Sequence, residues 1–536
     1  MAPAGSHIQA HVRNMGRDGE SPPCQCGMRY SEGIPSSERA ARPAAVDKHV
    51  PGSVRPVDGK GRAFPRSRHG IALAALAILA LAAAAPPTAT AGNVASAIDL
   101  REPGHRYIMV DQFGYRPDDP KVAVLADPEV GFNASDSFTP SATYEVRRAN
   151  DGETVLSGRI VSYQDGEVQA SSGDRGYWFD FSSLRTPGRY YLYDPLNNVR
   201  SHVFEIGPDV YRNVLNAAVR MFFYNRSGIA KAPPHADARW SDQAAFQGPG
   251  QDGEARSVTA KHDPSTARDL SGGWFDAGDT NKYVNNAGQT LHQLLAAYRE
   301  RPWIWTDDLN IPESGNGRPD LIDEIVWELD WLKRMQQPDG GVLVKVGNID
   351  WSRTSPPGRD ARPRYYAPVC SSSTITTAGV FAHAAVVLRG ITGLEDYASD
   401  LLARAERAWL WYHANPKRDD CDTREVKSGD ADLPLKDQFA EEVVAAVYFY
   451  AATGEQQYAT FVDKKHRRLR PYRDIGWSRY DPHQGEALLY YTTLPGIDEN
   501  LKQSILEKKK DEVYSAKSRA AYYSGLEMDL YRCLLY

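Results

Sequence analysis

The chain has 536 residues, enough for roughly two to four domains, and its hydrophobic content of 41% predicts globular cores. Its 69 acidic and 63 basic residues are spread along the chain and give a net charge of −6, so no basic face predicts a nucleic acid or an anionic membrane as partner. A neutral or small-molecule substrate fits this composition better.

The first predicted element is a secretory signal peptide at residues 66–91. An apolar run, IALAALAILALAAAA, follows Arg66 and Arg68 and precedes an Ala-x-Ala site that ends at Ala91. Residues 1–65 are polar and rich in Pro and Gly, which indicates a non-native or disordered extension. We therefore expect a secreted protein, extracellular or periplasmic, that begins near Gly92 and has no membrane contact after cleavage.

After a linker at 92–104, residues 105–207 read as short β-rich runs separated by turn signals. The runs are Tyr107–Val110, Val122–Leu125, Thr143–Arg147, Arg159–Val161, Tyr177–Phe181, Tyr190–Tyr193 and His202–Ile206. This spacing predicts an immunoglobulin-like β-sandwich.

From residue 208 to residue 536 the apolar period becomes helical. One stripe consists of Leu321, Ile322, Ile325, Leu329 and Leu332, and similar stripes follow at 401–409 and 443–447. Helices are also expected at about 210–224, 285–299, 373–389 and 484–492. The long polar loops at 226–283 and 338–372 are where we expect the functional site.

The cysteines show no metal-like spacing. A disulfide between Cys370 and Cys421 is compatible with an oxidising compartment and would leave Cys533 unpaired. The segment from His235 to Trp240 has one histidine and no cysteine, so we predict no zinc site there.

The most informative stretch is GGWFDAGD at residues 272–279. Asp276 and Asp279 have only Ala and Gly between them, so the backbone can turn tightly and aim both carboxylates at one water molecule. An isolated D-x-x-D is more often a helix cap or an Asx-turn. A calcium loop is a further alternative, but its D-x-D-x-D-G pattern is absent.

The longer string GGWFDAGDTNKYV closely resembles the signature of glycoside hydrolase family nine, the inverting cellulases. The segment VDQFGY at 110–115 resembles the start of the immunoglobulin-like domain that precedes many of these enzymes. Segments at 310–324, 331–341 and 441–454 resemble later parts of the family in the same order. The resemblance extends from roughly residue 105 to residue 500.

The resemblance implies an (α/α)6 barrel that hydrolyses β-1,4-glucosidic bonds in cellulose or a related β-glucan. Asp279 would be the general base, and Asp276 would help to hold the attacking water. It implies no cofactor for catalysis, a polysaccharide as partner and a monomer. Structural calcium is compatible with the family, but no site in this sequence can be assigned to it.

The sequence departs from the family near its C-terminus. The acid glutamate and the segment with paired histidines and an arginine are not found before Tyr536, and only about eight or nine of the twelve barrel helices are recognisable. We therefore expect an incomplete barrel with apolar inner faces in water and a nearly inactive chain. Helix-surface or capping roles are favoured for the substitute acids that the sequence offers: Glu441, Glu442, Glu455 and Glu486.

Three alternatives to an endo-acting glucanase stay open. The first alternative is a catalytically dead carbohydrate-binding remnant. The second is an exo-acting glucanase or glucosaminidase of the same family, and the third is a product that does not fold stably. An adhesion module would leave the helical part and the two aspartates unexplained.

Overall fold

The structure is a computed structural model that describes residues 103–351, 354–427, 429–473, 477, 481–514 and 530–531. The predicted extension, the predicted signal peptide, most of the predicted linker and Cys533 lie outside the described residues.

The first part of the described chain is a two-sheet sandwich of nine short strands. They are β1 (Ile108–Met109), β2 (Val122–Pro128), β3 (Thr143–Arg148), β4 (Thr154–Arg159), β5 (Val161–Ser162), β6 (Asp174–Asp180), β7 (Gly188–Asp194), β8 (Val199–Arg200) and β9 (Phe204–Ile206). One sheet has the order β1-β2-β6-β5, and the other has the order β4-β3-β7-β8 with β9 also paired to β7. All of these pairs are antiparallel, so the predicted immunoglobulin-like sandwich is confirmed.

Aromatic side chains from both sheets fill the space between them. Phe179 on β6 and Tyr144 on β3 are both fully buried, with ring centroids 5.9 Å apart. The run that we predicted at Arg159–Val161 is split, because β4 ends at Arg159 in one sheet and β5 begins at Val161 in the other. The exchange between sheets at Ile160 explains why one continuous strand does not form.

The rest of the described chain is mainly helical. Its α-helices are α1 (Arg212–Asn225), α2 (Val284–Glu300), α3 (Asp320–Met335), α4 (Ser371–Leu388), α5 (Glu395–Ala414), α6 (Leu435–Thr453), α7 (Gln456–Lys465), α8 (Arg470–Arg473), α9 (Pro482–Tyr491) and α10 (Glu499–Tyr514). The stripe that we predicted on α3 is buried, with all five side chains 0% exposed.

Four of these helices pack around a common interior. Helix α2 packs on α4, α4 on α6, α6 on α9, and α9 again on α2. Each of these four helices also contacts one further helix: α3, α5, α7 and α10, respectively. Their apolar side chains belong to one continuous core. In the described part of the chain, the inner faces of these helices therefore pack on one another. We had expected an open barrel with inner faces exposed to water. The faces are covered because α9 contacts α2 and closes the ring.

Helix α4 is long and apolar enough to cross a membrane, but 89% of that stretch is buried inside the protein. It contacts α2, α5 and α6, which makes it the central helix of the core.

The two long loops that we predicted to carry the site pair with each other. Strands β10 (Arg256–Ser257) and β11 (Lys282–Tyr283) come from the first loop, and β13 (Lys345–Gly347) and β14 (Tyr365–Tyr366) come from the second. They form one sheet in the order β10-β14-β13-β11. Strands β12 (Val342–Leu343) and β15 (Val369–Cys370) form a separate pair before α4.

The disulfide between Cys370 and Cys421 is present, as the sequence allowed. It joins the start of α4 to the loop between α5 and α6. That loop in turn reaches the first of the long loops, because the backbone oxygen of Lys427 accepts a hydrogen bond from Asn281 Nδ2 at 2.5 Å.

Candidate active site

The two predicted carboxylates lie on a tight turn immediately before β11. The backbone N–H of Asp276 donates to Asn281 O at 2.9 Å, and the N–H of Thr280 donates to Ala277 O at 3.2 Å. Ala277 and Gly278 are exposed, and nothing lies within 4 Å of the position that a Cβ on Gly278 would occupy. The small residues thus allow the turn and leave its outer surface open to a substrate.

Three donors fix the carboxylate of Asp279. Tyr283 Oη donates to Oδ2 at 2.8 Å, Asn281 Nδ2 donates to the same oxygen at 3.3 Å, and Asn281 N donates to Oδ1 at 3.1 Å. The last contact is the Asx-turn that was the structural alternative for this residue. The turn and the tyrosine together hold the carboxylate in one orientation.

Asp276 is exposed and has a different environment. Its Oδ1 accepts a hydrogen bond from Asn286 Nδ2, in the first turn of α2, at 2.9 Å. Desolvation by the surrounding loops raises the pKa of Asp276, the Asn286 hydrogen bond opposes that rise, and the negative charge of Asp279 adds to it. Two carboxylates with different environments therefore share one exposed turn, an arrangement suited to holding and deprotonating a water molecule.

The same end of the helical ring gathers the first two turns of α2 and the beginnings of α4, α6 and α9. The hydrogen bonds that join them are Asn285 Nδ2 to Ser372 Oγ at 3.3 Å, Ser371 Oγ to Gln438 Oε1 at 2.8 Å, and Gln289 Nε2 to Asp481 Oδ1 at 3.2 Å. Helix N-termini carry partial positive charge, so their convergence favours carboxylates and polar ligands at this end.

A buried ion network lies behind the turn. Lys282 and Arg364 both pair with Asp252, at 2.8 and 2.9 Å, and all three side chains are fully buried. Lys282 Nζ also donates to Gly272 O at 2.8 Å, and Arg364 Nη2 donates to Thr280 O at 2.8 Å. The network thus supports the turn on both sides of the two aspartates.

The glutamates considered as substitute acids do not meet at the turn. Glu441 is buried and pairs with His483 at 2.8 Å, and Glu442 pairs with Arg468 at 2.7 Å. Glu486 lies within α9, and Glu455 is an exposed residue at the start of α7.

Two carboxyls that the sequence did not predict as site residues, Asp432 and Asp481, lie at the same end of the ring as the turn with Asp276 and Asp279. Asp432 accepts hydrogen bonds from Ser372 and Asp422, and Asp481 precedes α9 and pairs with Arg470. Desolvation raises the pKa of both aspartates, and Arg470 opposes the rise at Asp481. Their only sequence signal is that each closely precedes an inner helix.

In the part of the chain that the structure describes, two groups of side chains have metal-ligand spacing. One contains Cys370 and Cys421, whose sulfurs form the disulfide and are not free to bind an ion. The other consists of Asp307, Asp320 and Asp323, with oxygens within 4.8 Å of one another.

Protein donors already reach the three carboxylates of the second group. Arg318 pairs with Asp323 at 2.9 Å, and the N–H groups of Gly315 and Gly317 donate to Asp307, both at 2.7 Å. Oδ2 of Asp320 accepts from Leu309 N at 2.6 Å and Ser314 Oγ at 2.8 Å, while its Oδ1 has no hydrogen-bond partner among the described residues. We therefore assign no ion to this cluster.

Comparison with known proteins identifies two families in the chain. Residues 211–528 match the family described as glycosyl hydrolase family 9, and residues 104–195 match the cellulase N-terminal ig-like domain. The first match alone spans more than half of the chain and includes Asp276 and Asp279.

Two curated relatives come from different bacteria. A cellulose 1,4-beta-cellobiosidase of Acetivibrio thermocellus is 30% identical over 391 residues, which cover 66% of this chain and 42% of the relative. A xyloglucan-specific endo-beta-1,4-glucanase of Bacteroides ovatus is 29% identical over 320 residues, which cover 58% of this chain and 50% of the relative. The chain thus spans half or less of the length of these relatives.

Among solved structures, a metagenome-derived glycoside hydrolase family 9 endoglucanase is similar at a TM-score of 0.65 and 30% identity. The alignment covers 80% of this chain and 75% of that structure. A second structure, the family 9 endoglucanase J30, has a TM-score of 0.60 and 27% identity, with 78% of this chain and 74% of that structure covered.

Proposed function

Because the chain belongs to glycosyl hydrolase family 9, we propose that it hydrolyses β-1,4-glucosidic bonds in cellulose or a related β-glucan. The observation that carries this proposal is the exposed turn on which Asp276 and Asp279 lie three residues apart, each held by a neighbouring polar side chain. That turn lies within the family match and at the end of the ring where four helices begin.

In the mechanism that we propose, Asp279 takes a proton from water as the water attacks the anomeric carbon. Asp276 accepts the second hydrogen bond of the same water and orients it. The glycosidic oxygen must be protonated from the opposite face of the sugar, and inversion results. Asp432 and Asp481 are carboxyls at this end of the ring, and desolvation raises the pKa of both.

A glucan chain needs apolar surfaces against which its sugar rings can lie. Trp351 is 68% exposed and follows Asn348, whose N–H donates to Asn281 Oδ1 at 3.2 Å. Since Asn281 also donates to Asp279, this loop lies beside the turn. We propose that Trp351 supports the glucan chain and that the enzyme cuts internal bonds.

The remaining assignments follow from this activity. We propose a secreted monomer that is processed after residue 91, because an insoluble polysaccharide cannot enter a cell and the Cys370–Cys421 disulfide suits an oxidising compartment. Residues 105–207 would form the sandwich domain, and residues 208–536 would form the catalytic domain.

Initial rates of reducing-sugar release from carboxymethylcellulose test the proposed activity. Because the family's acid glutamate was not found in this sequence, we expect the chain to release reducing sugar only slowly. We expect Trp351→Ala to raise KM about 3- to 10-fold with little change in kcat, since an aromatic contact contributes roughly 1 kcal/mol. A rapid fall in viscosity relative to sugar release would support internal cleavage.

A matched control for Trp351→Ala is Trp303→Ala. Trp303 is similarly exposed, at 73%, but follows the C-terminal end of α2, roughly 25 Å along the helix from the end that faces Asp276. This variant should keep the KM of the unmodified chain. Glucan binding without any sugar release would contradict the proposed activity and favour a binding remnant.

A further inference from the structure

A buried carboxyl holds the catalytic turn from behind. Glu328 on α3 is 0% exposed, and its Oε2 accepts a hydrogen bond from the backbone N–H of Trp274 at 2.7 Å. Trp274 lies two residues before Asp276. The next helix residue toward the N-terminus, Trp327, donates from its indole N–H to Gly273 O at 3.2 Å. Helix α3 therefore binds both the carbonyl and the N–H of the single Gly273–Trp274 peptide group at the entry to the turn.

The surroundings of Glu328 offer its charge little compensation. Its Oε1 is buried and has no hydrogen-bond partner among the described residues. The cation that faces it, Lys282, pairs with Asp252, which also binds Arg364. No described ion pair includes Glu328.

The second acidic group beside Glu328 is Glu324, one turn earlier on α3. Its Oε2 accepts a hydrogen bond from Arg226 Nε at 3.0 Å, and Arg226 also binds Glu313. Burial raises the pKa of Glu324 to about 7 even though Arg226 opposes the rise. Negative charge on Glu324 therefore disfavours a second charge on Glu328.

We propose that Glu328 is a positioning residue for the glucan hydrolysis proposed above. In its neutral form, Glu328 fixes the Trp274 peptide and so orients Asp276 and Asp279. Ionisation of Glu328 limits the activity at alkaline pH. The neutral carboxyl accepts the Trp274 N–H without placing a charge in the core. An ionised carboxylate with one donor is costly in this environment, and α3 or the turn must shift to admit water.

The direction of the pH effect follows from burial. Desolvation raises the pKa of Glu328 to about 8, with Glu324 adding to the rise and the Trp274 N–H and Lys282 opposing it. In the unfolded chain the group ionises near its ordinary value of 4.5. The contribution of Glu328 to stability is therefore fully present below about pH 4.5 and is lost as the pH rises toward and through 8.

The deciding variant is Glu328→Gln, whose amide oxygen can still accept the Trp274 N–H but cannot ionise. We expect kcat at pH 6 within about threefold of the unmodified chain and KM unchanged. We also expect the alkaline fall of kcat near pH 8 to be shifted upward by at least one pH unit or removed. Glu328→Ala lacks the acceptor and should lower kcat at every pH.

Thermal unfolding of the full chain, followed from pH 5 to pH 9, gives a readout that does not depend on activity. The midpoint of the unmodified chain should fall more steeply across this range than that of Glu328→Gln. As a matched control, Asp330→Asn removes a carboxylate of 54% side-chain exposure from the same helix and should leave both profiles unchanged.

The proposal would be overturned if the unmodified chain and Glu328→Gln showed the same alkaline fall of kcat and the same dependence of the thermal midpoint on pH. If no glucan is cleaved at any pH, the proposed function fails, and the positioning role for hydrolysis fails with it. Parallel midpoint profiles in a chain that does cleave glucan would reject the role of Glu328 alone.

Discussion

Asp279→Asn should abolish glucan hydrolysis while leaving glucan binding nearly intact. The amide keeps the shape of the carboxylate but cannot take a proton from water, and the loss of a general base lowers the rate by about 10²–10⁴. Asn281 and Tyr283 surround this side chain, so the substitution should not disturb the fold. Initial rates on carboxymethylcellulose and affinity electrophoresis in the same glucan measure the two effects separately.

Two further substitutions make this prediction specific. Asp276→Asn should also be severely impaired, because Asp276 is expected to orient the same water; an unchanged rate would leave it a structural residue. Asp269→Asn is the matched control, since Asp269 lies shortly before the turn but is bound to Arg334 and Ser271. Normal turnover by Asp279→Asn would remove Asp279 from the mechanism.

Gly273→Ala should cause the largest loss of stability among substitutions near the turn. Gly273 has φ +76°, and a Cβ there would lie 2.6 Å from Cγ of Trp331, which is 1% exposed. The left-handed backbone costs about 1–2 kcal/mol, and the clash with a buried ring adds roughly 1–3 kcal/mol. Together these terms should lower the thermal midpoint by about 3–8 °C.

Two neighbouring glycines separate the causes of that loss. Gly272 has φ +83° but open space around a Cβ. Gly272→Ala should therefore lose only the free energy that the left-handed backbone conformation costs. Gly278 has neither a positive φ nor a close neighbour, and Gly278→Ala should unfold at the midpoint of the unmodified chain. If Gly273→Ala unfolds at the same thermal midpoint as Gly272→Ala, the Trp331 ring must move away from the added methyl group without loss of stability.

Local sequence patterns were sufficient for most of the fold. Alternating aromatic residues between turn signals predicted the sandwich, because one face of each strand must be buried. The apolar stripe on α3 predicted its buried face for the same reason. The run at 154–158 was missed because it contains a mixture of small and polar residues and is only partly buried.

The supports of the turn that carries Asp276 and Asp279 were harder to foresee, since they connect residues that are far apart in sequence. No local pattern marks Lys282, Asp252 and Arg364 as partners, and only the folded chain brings them together in the core. Glu328 did carry a signal that was overlooked. It lies three residues after Ile325 and four before Leu332, and so it occupies a position in the buried stripe of α3.

The closure of the helical ring also could not be read from periodicity. A helical stripe shows which face is buried but not which helix covers it. The contact between α9 and α2 depends on the path of the chain between residues 300 and 482, and sequence spacing alone does not determine that path.

The central claim is that this chain cleaves β-1,4-glucans with inversion through water activated by Asp279. Proton NMR spectroscopy of the anomeric signals, recorded in the first minutes after the chain is mixed with a soluble β-1,4-linked glucose oligosaccharide, tests it directly. We predict that new reducing ends appear first as the α-anomer and then equilibrate. Initial formation of the β-anomer would contradict the inverting mechanism, and no cleavage would contradict the proposed activity itself.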